Sequence, residues 1–257
     1  MPAGTRPRNN RRPPLRVTVG HNGRVTHIGR AVLAIGVAAS VLVSGCVSTV
    51  AGTAVRAGKA GPPVDVPPLK ESQLNGVLLT IGELNGIVGS TQMKVTASME
   101  QMTDHSNSVS DPDCLGAIYG AEEPVYAGTG WAAVRDQVVR EPNQDNEHWV
   151  EQTVVLYPSA DKAQKFFNDS TSTWKACSGS SISVDDGEST YLWRLDDATA
   201  KDNLTTQMTT QEEANGWGCQ HALSAVSNLT VETWACGYSI SDEAATMANE
   251  MVANAAK

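Results

Sequence analysis

The chain has 257 residues, 40% of them hydrophobic and 18% charged, with 19 basic against 28 acidic side chains for a formal net charge of −9. Seven arginines fall in the first 45 residues, which hold no Asp or Glu; without those seven, twelve basic residues face 28 acidic ones, a net of −16. So acidic a surface argues against nucleic acid and against anionic lipid headgroups as partners.

The basic start runs into an apolar stretch, residues 31–43, interrupted only by Gly36 and Ser40. It is shorter than the roughly 20 residues of a membrane-spanning helix. A basic region followed by a short apolar one is the layout of a secretory signal peptide. The stretch closes on Val43-Ser44-Gly45-Cys46, which resembles a bacterial lipobox. That resemblance implies a signal peptide over 1–45, cleavage before Cys46, diacylation of its sulfur, and a location on the outer face of the cytoplasmic membrane. Arg11-Arg12 invites a twin-arginine reading, which the following Pro13-Pro14 fits poorly. Residues 46–68 are small, polar and rich in Ala, Gly and Pro, and read as a tether. The remaining span, 69–257, suits one domain with a real core.

In chain order, the spacing of Leu74, Val77, Leu78 and Ile81 predicts a helix over 70–81, with a second helical turn over 82–88. Asp111-Pro112 reads as an N-cap followed by proline at the first helical position, which places Cys114 in a helix. Residues 131–140 and 148–157 read as an antiparallel hairpin; in the second strand Val150, Val154 and Leu156 alternate with Glu151 and Thr153. Pro158-Ser159 caps a helix to about Lys175, with Ala163, Phe166, Phe167 and Trp174 as its buried stripe. Strands follow over 181–184, 190–195 and 204–210, the last Thr-rich and suited to an exposed face. Residues 217–226 and 229–238 form a second hairpin about Ser227-Asn228. A closing helix over 242–255, with Ser241 as N-cap, carries Ala244, Met247, Ala248, Met251, Val252 and Ala255 on one face. Antiparallel strands interleaved with peripheral helices make an α+β domain.

Of five cysteines, four remain if Cys46 is acylated, and an even number in an exported domain implies two disulfides. A two-residue turn at Ser227-Asn228 sets Cys219 directly opposite Cys236. Counted from the closing pair, that rung is non-hydrogen-bonded, where Cα atoms approach to about 4.5 Å, within disulfide reach. Cys114 and Cys177 are then left to each other.

Several segments are familiar as a set: Asp111-Pro112-Asp113-Cys114, Tyr126-Ala127-Gly128-Thr129-Gly130-Trp131, Tyr157-Pro158-Ser159-Ala160-Asp161 with Phe166-Phe167, Asn215-Gly216-Trp217-Gly218-Cys219-Gln220, and Ala235-Cys236-Gly237-Tyr238. In that order they resemble the PknH-like extracellular sensor domain, over most of 69–252. The resemblance implies a central antiparallel sheet, peripheral helices, two disulfides joining first to second and third to fourth cysteine, and a cleft that receives a ligand. It also implies a setting in actinobacteria, either outside a transmembrane Ser/Thr kinase or as a lipoprotein. No kinase catalytic-loop or Gly-rich-loop signature is present in this chain.

No GxSxG, HExxH or CxxC pattern occurs, and His105, His148 and His221 are scattered. The expectation is therefore a binding domain rather than an enzyme, a monomer with neither metal nor cofactor. His148 reads as structural, His221 as packing or edge polarity, and the acidic pairs 185–186 and 196–197 as solvated loop residues. With only two Phe, the six tryptophans supply much of the aromatic mass. Trp131 and Trp217 each follow a Gly at a strand start, and with Asn215 and Gln220 they are the candidate lining of a groove for a small molecule, a glycan, an envelope lipid or an envelope protein. Packing at the sheet end accounts for the same residues. The rival functional reading is a lipid or glycolipid carrier.

Overall fold

A computed structural model describes residues 66–142 and 147–257. The leader, Cys46 and the tether up to residue 65 lie outside the described residues. The domain is built on one antiparallel sheet of nine strands: β1 Lys94–Met99, β2 Ala133–Arg140, β3 His148–Leu156, β4 Ser181–Asp185, β5 Thr190–Leu195, β6 Thr199–Lys201, β7 Leu204–Gln211, β8 Gly218–Val226 and β9 Leu229–Gly237. Their order is β1-β2-β3-β9-β8-β7-β5-β4, with β6 paired to β7. The helices are α1 Ile81–Val88, α2 Leu115–Ile118, α3 Glu123–Tyr126, α4 Ala160–Cys177 and α5 Glu243–Ala255.

The fold is the expected α+β, and both disulfides form as paired from the hairpin. Cys219 faces Cys236 in the β8–β9 register with Cα atoms 4.0 Å apart. Cys114 joins Cys177 across 63 residues, tying the α2 region to the end of α4. Ser227 supplies the positive φ, 51°, that the tight turn needs. Asn228 does more than turn the chain. Its side chain accepts from the Leu69 N–H and donates to the Leu69 and Tyr157 carbonyls, all at 2.8–3.0 Å.

Every residue of β8 and β9 is buried, because helices cover both faces of the sheet. On one face, α5, α1 and residues 69–79 before α1 enclose an apolar core that includes Leu74, Leu84, Val150, Val154, Val231, Met247 and Met251. On the other, α2, α3 and α4 enclose a core containing Tyr126, Phe166, Trp174, Trp193, Trp234 and both disulfides. Glu151 and Thr153, the polar phase of β3, therefore face this second core, Thr153 fully buried and Glu151 half-buried.

Three sequence expectations change. The helix expected over 70–81 is a 3-10 helix, Glu71–Gly76, and the α-helix begins at Ile81. Gln152 explains the break: its side chain accepts from the Leu79 N–H and donates to the Leu79 carbonyl, holding that residue extended. Thr80 and Glu83 then form a capping box that starts α1. Ser241 is not the cap of α5; Asp242 occupies that position without a side-chain cap bond, and Gln220 Oε1 accepts from the Ala245 N–H in its place. The Thr-rich strand is half-buried, with Thr205 and Thr209 inside and Thr210 exposed. The short strands β1 and β6 carry no clear sequence pattern and were not expected.

Candidate functional site

The interior under α2–α4 contains ionisable groups in a row. Cross-strand register aligns Asp136, Thr153 and Glu232 on β2, β3 and β9, and beside them Glu151, Trp234 and His221 on β3, β9 and β8. All share one face, since residues two apart in a strand point the same way. Glu232 accepts from Tyr126 Oη at 2.8 Å, and its other oxygen lies 2.7 Å from His221 Nε2. The His221 ring is fully buried between two indoles, stacked on Trp234 at 3.7 Å and tilted against Trp174 at 3.8 Å. It is interior packing, as one sequence reading had it, and not edge polarity.

Burial lowers the His221 pKa, opposed by its bond to Glu232. The ring is then neutral at pH 7, and the Glu232 contact places its proton on Nε2. Burial is also the largest influence on Asp136 and Glu151, and it raises both. The charge of Asp136 raises Glu151 further, and Asp136 Oδ2 is buried without a hydrogen-bond partner. Thr153 Oγ1 donates to Asp136 at 2.6 Å and moderates its rise. The Tyr126 hydroxyl is pushed well up by burial and by the charge of Glu232.

Directly above this row lies a groove of about 420 Å³ between α4 and residues 106–129. Phe166, Trp174 and Leu115 contribute to its lining; Asp113, Asp169, Ser170 and Thr173 add polar groups. Phe166 stacks on Tyr126 at 4.1 Å, and Trp174 packs on His221, so each ring links the groove to the polar row. Gly116 sets the width of one wall, because a Cβ there would meet Val125 Cγ1 at 3.0 Å. Glu122 holds that wall: buried, it accepts from Thr103 Oγ1, the His105 N–H and His105 Nδ1 at 2.6–3.0 Å.

A second groove, about 490 Å³, is lined by Arg194, Asp196, Asp197, Thr206, Met208 and Gln220 among others. Among the described residues no group of three His, Cys, Asp or Glu could hold a metal ion.

The four candidate ligand residues do not converge. Trp131 is partly buried just before β2, next to Ala132, whose N–H bonds to Leu156. Trp217 precedes β8, whose first residue pairs with Gly237. By register these are opposite ends of the sheet, roughly 25 Å apart at 3.3 Å per residue. Trp217 is buried edge-on to Tyr238, and Asn215 sits exposed in the turn before it. Gln220 is committed to the start of α5, donating to Ser241 and accepting from Ala245. Of the four, Gln220 lines the second groove and none lines the first. The acidic row escaped the sequence reading, although one signal was available: Cys236 had to point inward, and Trp234 and Glu232 share its phase on β9.

Residues 69–254 match the PknH-like extracellular domain. The chain belongs to the PknH-like extracellular domain family. It is 40% identical over 191 residues to serine/threonine-protein kinase PknH of Mycobacterium bovis and of Mycobacterium tuberculosis. The match covers 74% of this chain but only 32% and 30% of those kinases, so the chain spans about a third of their length. The crystal structure of the extracellular domain of PknH from M. tuberculosis superposes with a TM-score of 0.71 at 38% identity, covering 74% of this chain and 98% of that one. The likeness is thus to the non-catalytic, extracellular part of a PknH-like protein. Two disulfides and that family place the domain outside the cytoplasm.

Proposed function

We propose that this chain is a cell-envelope lipoprotein, anchored through Cys46, whose PknH-like domain over 69–257 senses a ligand bound in the groove between α4 and residues 106–129. The observation that carries this reading is the seating of the groove: its aromatic lining rests on a buried row of ionisable groups. A ligand that shifts Phe166 or Trp174 therefore acts on Tyr126, Glu232 and His221 one ring away. Signalling then passes to an envelope partner, with no catalytic step in this domain. The carrier reading is less well supported, because a groove of this size with carboxylates and hydroxyls in its lining has little room for acyl chains.

Two measurements test the proposal. Native mass spectrometry of the chain released from envelopes is expected to show a reproducible non-covalent adduct that disappears on denaturing extraction; a bare protein whose melting point no envelope extract shifts would sink ligand sensing. Metabolic labelling with palmitate is expected to mark the chain and to fail in Cys46→Ser, and equal labelling of both would remove the anchor.

A further inference from the structure

We propose that the groove between α4 and residues 106–129 takes a small organic cation with an apolar body, an aryl- or alkylammonium. This rests on the reading of that groove as the ligand site. The first argument is the sorting of charge between the two grooves. The lining of the first contains Asp113 and Asp169 and no Lys or Arg, whereas the second has Arg194 beside its acids. An anion in the first groove would meet Asp113 with no cation in the lining to offset it; an ammonium there meets an opposite charge.

The second argument is which of those charges is free. Lys165 Nζ holds Asp169 at 2.6 Å, one helical turn away. Asp113 is exposed and has no ion pair among the described residues, so it is the carboxylate open to a ligand. Between these acids the lining is apolar and aromatic, through Leu115, Val125, Phe166 and Trp174, which suits a hydrocarbon body. The third argument is the field of the whole domain. Residues 66–257 carry 10 Lys and Arg against 27 Asp and Glu, which attracts cations and repels anions at long range.

The test uses three probes with one apolar body, 4-phenylbutylamine, 4-phenylbutanol and 4-phenylbutanoate, titrated into the full chain with both disulfides formed. Binding is followed by calorimetry and by the NMR shifts of Gly116, Val125 and Thr173. The amine is expected to shift these resonances and to bind at least about ten-fold more tightly than the carboxylate, a difference of about 1.4 kcal/mol. Asp113→Asn with Asp169→Asn, both isosteric and exposed, is expected to bring the amine to the affinity of the alcohol without changing the melting point. Added salt is expected to weaken the amine alone. If the carboxylate shifts the same resonances as strongly as the amine, the groove stands and the ligand class is wrong. If no probe shifts them, the groove itself is not the ligand site and the proposal falls with it.

Discussion

The two faces of the sheet are built from alternate residues of the same strands, yet they make different kinds of interior. Under α5 and α1 the core is methionine, leucine, valine and alanine. Its buried amide and hydroxyl groups are neutral and paired, since Gln152 bonds Leu79 and Gln137 and Thr233 donates to the Ala244 carbonyl, while Arg135 at its margin is paired with Glu71 and Glu100. Under α2–α4 the interior holds the buried carboxyl groups of Asp136 and Glu232 with half-buried Glu151 beside them, the imidazole of His221 and the buried phenols of Tyr126 and Tyr157. The first interior is indifferent to protons; the second exists in a particular protonation state. The lesson is that burial on both faces does not make both faces equivalent: one is apolar packing and the other buries groups that titrate.

The largest expected effect breaks the titratable side. Glu232→Ala strips the acceptor from both Tyr126 and His221 and leaves two buried donors unpaired, at about 1–3 kcal/mol each. Urea unfolding at pH 7 is expected to show a loss of about 3–5 kcal/mol. On the other face, Met251→Ala opens a cavity beneath α5 and is expected to cost about 3 kcal/mol. Its penalty is expected to be the same from pH 5 to pH 8, and a penalty that varies with pH would erase the contrast between the faces.

The smallest effect sharpens the contrast most. Asp136 and Glu151 have folded pKa values above their ordinary ones, so the stability they support is complete below the ordinary carboxyl range near 4.5 and declines as pH rises toward the folded values. Glu151→Gln removes one of the two titrating carboxyls and its repulsion of Asp136, and the decline is expected to flatten. Melting points of the two proteins from pH 5 to pH 8 decide this; parallel curves would show that another group sets the slope. His221 works in the opposite sense. Its folded pKa lies below 6.5, so the stability it supports is present above that pH and is lost as pH falls through the lowered value.

Much of the frame was legible because local rules and tertiary structure agree. The Cys219–Cys236 bond followed from turn length and strand parity, and α4 followed from a capped amphipathic stripe. The site was not legible, for a physical reason. Alternation in β3 was read as inside against outside, and nothing within a single strand says that a second layer of helices covers its polar phase. Trp131 and Trp217 share a Gly-Trp context without sharing a place, because similar strand starts recur at both ends of an antiparallel sheet. Gln220 looked free to bind, but its partner, the start of α5, lies more than twenty residues further along the chain.

Asn228 has a mechanical consequence. By gripping both backbone groups of Leu69, it ties the point where the chain enters the domain to the tip of the β8–β9 hairpin, in the middle of the sheet. A pull arriving from the residues before Leu69 is loaded onto the turn that joins two central strands. Those strands are stapled near their far end by Cys219–Cys236, so peeling that begins at the turn meets a covalent stop before it can separate them.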